Sequence, residues 1–241
     1  ILPDEFKYLR ENLIIFAYIH SNAHKEETDA LLENKVIGIA YEDVTDENGE
    51  FPLLKPMSII AGKGGFIAAL NFTQKIHGGK GILLSRIDGV RTPEITIIGA
   101  GNSGIGAAEL AAAFGNKVTI LDISSEKLER ARKVFPPNVE LLYSNKANLE
   151  MCLKRSDVVI NCILWSKWRK DHLITRDMLK LMKEGALIVD VACDEAGAIE
   201  TTRTTSHDAP VYVVDGIIHY CVDNIPSAFS QTATTVLCNA T

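Results

Sequence analysis

Short runs of consecutive apolar residues alternate along the chain with stretches in which apolar residues recur every three or four positions. The first pattern is that of a strand buried on both faces, and the second is that of a helix laid over it. Residues 13–19 read as a strand, 25–34 as a helix with Leu31 and Leu32 on its apolar side, and 36–41 as a short buried strand. The polar run Asp46-Glu47-Asn48-Gly49 is a turn. Residues 57–76 are mostly apolar and predict a long helix. Its Gly62, Gly64 and Gly65 either weaken that helix or mark a close approach of backbones.

Glycine-rich residues 77–81 end the helix, and a second unit begins near residues 91–93. It predicts strands at 95–98, 117–121, 139–143, 158–164, 187–192 and 211–214. Helices fall between them at 105–114, 126–135, 148–155 and 175–183. Ser124 or Ser125 is placed to cap the second of these helices and Thr175 the last. Parallel neighbours can be joined only through a crossover, so this alternation predicts six parallel strands covered by helices. The boundary between the units falls at residues 85–92.

Composition changes this picture little. Hydrophobic residues make up 46% and charged residues 23%, an ordinary globular balance with ample core material. A net charge of −6 without a basic patch argues against nucleic acid or an anionic membrane as partners. No apolar run approaches the roughly 20 residues of a membrane span. The five cysteines contain no CxxC pair and read as reduced thiols, and no His/Cys/Asp cluster has metal-ligand spacing. No signal-peptide pattern opens the chain, and a cytoplasmic location is expected. The chain opens on Ile1 and closes on Thr241 without a closing signal, so further segments are expected at both ends.

The first candidate chemistry is Gly99-Ala100-Gly101-Asn102-Ser103-Gly104. As a bare GxGxxG it is weak, but it follows one predicted strand directly and opens an apolar helix. Gly99 permits the tight turn, Gly101 lets a pyrophosphate approach the backbone, and Gly104 lets the helix pack on the strand. The helix start, with Asn102 and Ser103, offers free N–H groups to phosphate. The next strand ends on Asp122, 23 positions after Gly99 (122 − 99). A carboxylate there accepts from the adenosine ribose hydroxyls and repels a 2′-phosphate, so the expected cofactor is NAD rather than NADP. Lys127 and Arg130 follow closely and leave an opening for NADP; Lys127 is counted among the cofactor-binding residues. The fold class expected is α/β: a doubly wound parallel (Rossmann) dinucleotide-binding domain plus part of a second α/β substrate domain. By the family resemblance drawn below, residues 1–86 belong to the substrate domain, with 57–76 as a linking helix, 87–228 to the NAD-binding domain, and 229–241 to the start of a helix returning to the first domain.

Several further segments carry a resemblance. They are Phe16-Ala17-Tyr18-Ile19-His20, Ile39-Ala40-Tyr41-Glu42, Pro56-Met57-Ser58, Ala61-Gly62 and Gly78-Gly79-Lys80-Gly81. To these add Val118-Thr119-Ile120-Leu121-Asp122, the stretch Ile188 to Asp194, Glu200-Thr201-Thr202-Arg203 and His219-Tyr220-Cys221-Val222. Across nearly its whole length the chain resembles the family that joins alanine dehydrogenase with the nicotinamide nucleotide transhydrogenase α-subunit. The resemblance implies that His20 is the catalytic histidine, bonded to the substrate carbonyl and handling its proton, and that Asp194 is the catalytic aspartate beside the nicotinamide. It places Ser58 near the cofactor phosphates, Ser144 and Ile163 along the adenosine, and Asn224 and Ile225 near the nicotinamide. It also implies a homo-oligomer, by family habit a hexamer.

The implied reaction is NAD-dependent oxidative deamination of L-alanine to pyruvate and ammonium, in which a histidine suits proton transfer near neutral pH. The family holds its substrate carboxylate with an arginine and a lysine from a segment that would precede Ile1. Departures from the family pattern fall in the stretch Trp165 to Asp171, in Asp223-Asn224-Ile225-Pro226 and in Glu195-Ala196-Gly197, which the resemblance places around the nicotinamide and substrate. They leave two alternatives open: an opine- or saccharopine-type reductive amination that joins an oxo acid to an amino acid, and a non-catalytic NAD(H)-binding module.

Overall fold

The computed structural model describes residues 1–21, 24–166, 168–193 and 197–241. These divide into two compact units, one made of residues 1–57 with 234–241, the other of 58–233.

In the first unit, β1 (Ile14–Ala17) and β2 (Ile37–Ala40) pair in parallel through the crossover helix α1 (Lys25–Glu33). A small core of Leu9, Ile19, Ala30 and Leu31 lies on one face of this pair, while Leu32 faces solvent. The expectation of a buried strand at 36–41 is corrected: Ile14, Phe16, Ile37 and Ile39 are exposed. Successive strand side chains point to opposite faces, and the core covers only the one that carries Ile15 and Val36.

The second unit is built on a seven-stranded sheet. Its strands are β3 (Glu94–Ile98), β4 (Lys117–Asp122), β5 (Val139–Tyr143), β6 (Val158–Asn161), β7 (Leu187–Asp190), β8 (Val211–Val214) and β9 (Ile217–Tyr220). Their order across the sheet is β5-β4-β3-β6-β7-β9-β8. The six parallel strands, counted within the unit, run 3-2-1-4-5-6, the doubly wound dinucleotide-binding order. The sixth is β9, not residues 211–214 as the sequence pattern suggested. Residues 211–214 form β8, an antiparallel edge strand joined to β9 by Asp215-Gly216. Both turn residues have positive φ (49° and 81°), the geometry of a type I′ hairpin that an Asp-Gly pair favours.

The helices α3 (Asn102–Ala113), α4 (Ser125–Arg132) and α5 (Lys146–Arg155) fill the crossovers. Ser124 caps α4 by accepting from the Lys127 amide, and Asn145 caps α5 from the Asn148 amide. The predicted helix at 175–183 is instead a 3-10 segment, Arg176–Leu181, whose first amide donates to the Glu200 carboxylate at 2.7 Å. The long apolar helix is α2 (Leu54–Phe72). Its glycines resolve the question the sequence posed. A Cβ on Gly62 would stand 1.8 Å from the Ser103 carbonyl oxygen, and one on Gly65 would stand 2.9 Å from the Val191 side chain. Gly106 on α3 returns the contact, with the Ile59 oxygen 2.8 Å from its missing Cβ. These glycines are where α2 meets α3 and the sheet. The last helix is α6 (Ser230–Ala240). Among the described residues no helix is long and apolar enough to cross a membrane.

Candidate functional site

Each glycine of the 99–104 loop has a separate physical reason. Gly99 has φ +107°, and its amide donates to the Leu121 carbonyl at 2.7 Å. A Cβ there would be strained and would meet the Ile163 side chain at 2.8 Å. Gly104 is in backbone contact with the strand end, since a Cβ would lie 1.8 Å from the Gly99 oxygen. Gly101 is different: a Cβ on it would meet nothing within 4 Å. The protein therefore keeps open the space over Gly101, the N-cap of α3. The amide of Ile105 reaches back to the Gly101 carbonyl at 2.9 Å. The amides of Asn102, Ser103 and Gly104 precede that first helical bond and point out of the helix start, where an anion finds both donors and the positive end of the helix dipole.

This loop opens into a cleft of about 1000 Å³ at the carboxyl ends of β3, β4, β5 and β6. The strand order reverses between β3 and β6, the crevice position at which doubly wound sheets bind ligands. Asp122 lies on the floor, 8% exposed. One carboxylate oxygen accepts from the Ala100 amide and the other from the Ser124 amide, both at 2.7 Å. Each oxygen keeps a further lone pair for a ligand hydroxyl. Asp122 thus ties the glycine loop to the start of α4 while presenting negative charge to the cleft. Lys127, Ser144 and Ile163 also line it. The structure brings these three together with Gly99, Gly101 and Asp122.

The outer wall is the loop after β6. The Arg169 guanidinium lies 4.0 Å from the centre of the Trp165 ring and forks onto the Asp171 carboxylate. Trp165 Nε1 donates to the Asp171 carbonyl at 2.7 Å. The resemblance places this stretch around the nicotinamide and substrate; Trp165 and Arg169 line the cleft together with Asp122, Lys127 and Ser144.

Other expected residues sit elsewhere in the second unit. Ser58 is half-buried on α2, one turn before Gly62. Asn224 has left-handed backbone (φ 56°), and its carbonyl accepts from the Ser227 amide and hydroxyl. The Ile225 side chain is buried against Gly64 of α2, so Ile225 can offer a ligand only its backbone. Asp194 lies outside the described residues. The chain leading to it is held by Asp190, whose buried carboxylate accepts from Asn161 Nδ2 (2.8 Å), Thr202 Oγ1 (2.9 Å) and the Cys193 amide (3.1 Å). Sequence reasoning passed over Asp190. Its signal was a carboxylate at the carboxyl end of an apolar strand, where only paired charges survive burial. His219 is fully buried between Thr201 Oγ1 and the Ile217 carbonyl, and burial pushes its pKa below the ordinary histidine value. It serves the sheet.

In the first unit, parallel pairing of Ala17 with Ala40 sets the ends of β1 and β2 side by side. Residues that follow them, Tyr18 to His20 and Tyr41 to Glu42, are thereby neighbours. His20 has φ 48°, and its ring stacks on Tyr18 with planes 5° apart and centroids 5.8 Å apart. The Tyr18 hydroxyl donates to the Leu53 carbonyl at 2.7 Å. Burial, and then the nearby Glu42 carboxylate, raise the Tyr18 pKa.

The fold, the glycine cradle and the acidic residue at the end of β4 define a doubly wound α/β protein of the dinucleotide-binding type. Comparison with known proteins carries this to a family. The model for the alanine dehydrogenase/PNT C-terminal domain matches residues 65–241, and that for the N-terminal domain matches residues 1–61. The chain belongs to the alanine dehydrogenase/PNT family. It is 44% identical over 241 residues to an alanine dehydrogenase of Staphylococcus epidermidis, covering 100% of this chain and 65% of that protein. It is also 44% identical to an alanine dehydrogenase of Geobacillus stearothermophilus, of which it covers 64%. A solved structure of an L-alanine dehydrogenase superposes with a TM-score of 0.91 at 38% identity, covering 100% of this chain and 66% of the other. The chain thus spans about two thirds of the length of the relatives it matches.

Proposed function

We propose that this chain carries the NAD-dependent oxidative deamination of L-alanine to pyruvate and ammonium, in a reversible reaction. The observation that carries the reading is the cleft at the β3/β6 reversal: an open space over Gly101, the outward amides of Asn102, Ser103 and Gly104, and the Asp122 carboxylate. These groups suit the two ends of an adenosine diphosphate moiety, the amides its pyrophosphate and Asp122 its ribose. The negative charge of Asp122 favours NAD over NADP. Lys127, Ser144 and Ile163 complete this binding surface, and Ser58, Asn224 and Ile225 are assigned to the phosphate and nicotinamide ends.

The bound nicotinamide supplies a hydride acceptor. The chain's own residues then have proton work to do, because the imine left by hydride loss must add water and release ammonium. His20 is assigned the proton at the substrate carbonyl, and Asp194 the aspartate role beside the nicotinamide. In this reading residues 87–228 bind the cofactor, residues 1–86 belong to the substrate domain, and residues 229–241 return to it. The protein acts in the cytoplasm as a homo-oligomer, a hexamer by the family's habit.

The test is NADH oxidation by the chain with pyruvate, comparing ammonium with ornithine and lysine as amine donors. Turnover with ammonium is the expected result. Turnover confined to the larger amines would replace the proposal with the opine-type reaction. The altered wall of Trp165, Arg169 and Asp171 is the feature that favours that second reading. NADH binding without turnover on any donor would make the chain a cofactor-binding module.

A further inference from the structure

The Glu42 carboxylate takes part in three contacts around His20. It accepts from the backbone amide of Ile19, at 3.1 Å to one oxygen and 3.3 Å to the other, and from the backbone amide of His20. One of its oxygens also lies 3.7 Å from His20 Nδ1. His20 is a non-glycine residue with φ 48°, a conformation that costs free energy unless its surroundings over-determine it. The two amide bonds to Glu42 supply that constraint, and the parallel stack on Tyr18 fixes the plane of the ring. The groups facing His20 are the Tyr18 ring, the His24 ring with its centroid 6.5 Å away, and Glu42. The Tyr18 hydroxyl is turned to Leu53. Among the described residues Glu42 is the one carboxylate within 4.0 Å of the ring.

We propose that Glu42 is the positioning residue for His20: it holds the backbone of residues 19 and 20 in the conformation that presents the ring, and it supplies a counter-charge to the imidazolium. This rests on the reading of His20 as the proton-handling residue, but the arrangement can be tested without turnover. A built-in carboxylate lets the ring take up a proton without leaving a lone cation half out of water. The Glu42 side chain is 14% exposed and that of His20 52%, so the pair is partly screened and the effect is moderate.

The two contributions separate by substitution. Glu42→Gln keeps a side-chain oxygen that can accept from the amides and removes the charge. Glu42→Asp keeps the charge. Glu42→Ala removes both. The readouts are hydrogen exchange of the Ile19 and His20 amides, followed by NMR on the intact chain, and kcat for the proposed reaction. Glu42→Gln should leave both amides protected, because its side-chain oxygen still accepts from them, and lower kcat several-fold through loss of the charge alone. Glu42→Asp, one methylene shorter, should protect the two amides only in part. Glu42→Ala should exchange the Ile19 and His20 amides roughly tenfold faster. Unmoved exchange of these two amides in folded Glu42→Ala, or in Glu42→Asp should the alanine variant fail to fold, would overturn the proposal. Full turnover in His20→Ala would instead overturn the catalytic reading and leave the Glu42–His20 coupling standing.

Discussion

At the scale of single residues, the acidic groups do several jobs at once. Asp122 accepts the backbone amides of Ala100 and Ser124 and still faces the open space. Asp122→Asn keeps an acceptor for one amide but loses the charge. The expected outcome is about tenfold weaker NADH binding and a loss of discrimination against NADPH, measured by competitive fluorescence titration. Unchanged selectivity would mean that the ribose is read elsewhere. Asp122 was legible in the sequence because its spacing from Gly99 is set by one strand–helix–strand unit. Glu42 was not. Its distance from His20 along the chain says nothing of the register of β1 on β2, and that register brings it beside His20.

At the scale of elements, glycine placement separates folding from binding. Gly104 and Gly62 have neighbouring backbone where a Cβ would go, while Gly101 has none. Gly104→Ala and Gly62→Ala should each lower stability by about 1–3 kcal/mol or more, seen in denaturant midpoints, because packed backbone cannot give way. Gly101→Val should fold with its stability intact and lose NADH binding, since it fills only the space kept for phosphate. A folded Gly101→Val that still binds NADH would remove the cradle from the proposal. The alternation of strands and helices was readable because each element has one period of apolar residues. The direction of the last strands was not. Residues 211–214 and 217–220 are both short runs rich in apolar residues; the Asp215-Gly216 turn pairs them antiparallel, and the parallel pairing of 217–220 with β7 leaves 211–214 at the edge.

At the scale of the whole molecule, the second unit carries most of the buried apolar side chains, arranged on both faces of its sheet. The proposed cofactor site is built on that rigid frame, at the ends of strands that cannot move singly. Binding there adds to folding stability by mass action. NADH at about 100 times its Kd should stabilise the chain by roughly 2.7 kcal/mol, raising Tm by about 5–10 °C in a thermal scan. The same NADH should leave Gly101→Val unshifted, and an equal shift in both would place binding outside the cradle.

The sequence by itself determined the class of fold, the phosphate loop and the acidic residue that follows it. These depend on contacts a few residues apart and on periods that strands and helices impose. Tertiary structure decided the rest: that the glycines of α2 meet α3, that Trp165 and Arg169 wall the cleft, and that Glu42 stands beside His20. Each of these joins residues far apart in the chain, or aims a loop side chain that no short-range pattern encodes. Strand register and crossover packing bring such groups together, and neither is written in any single segment.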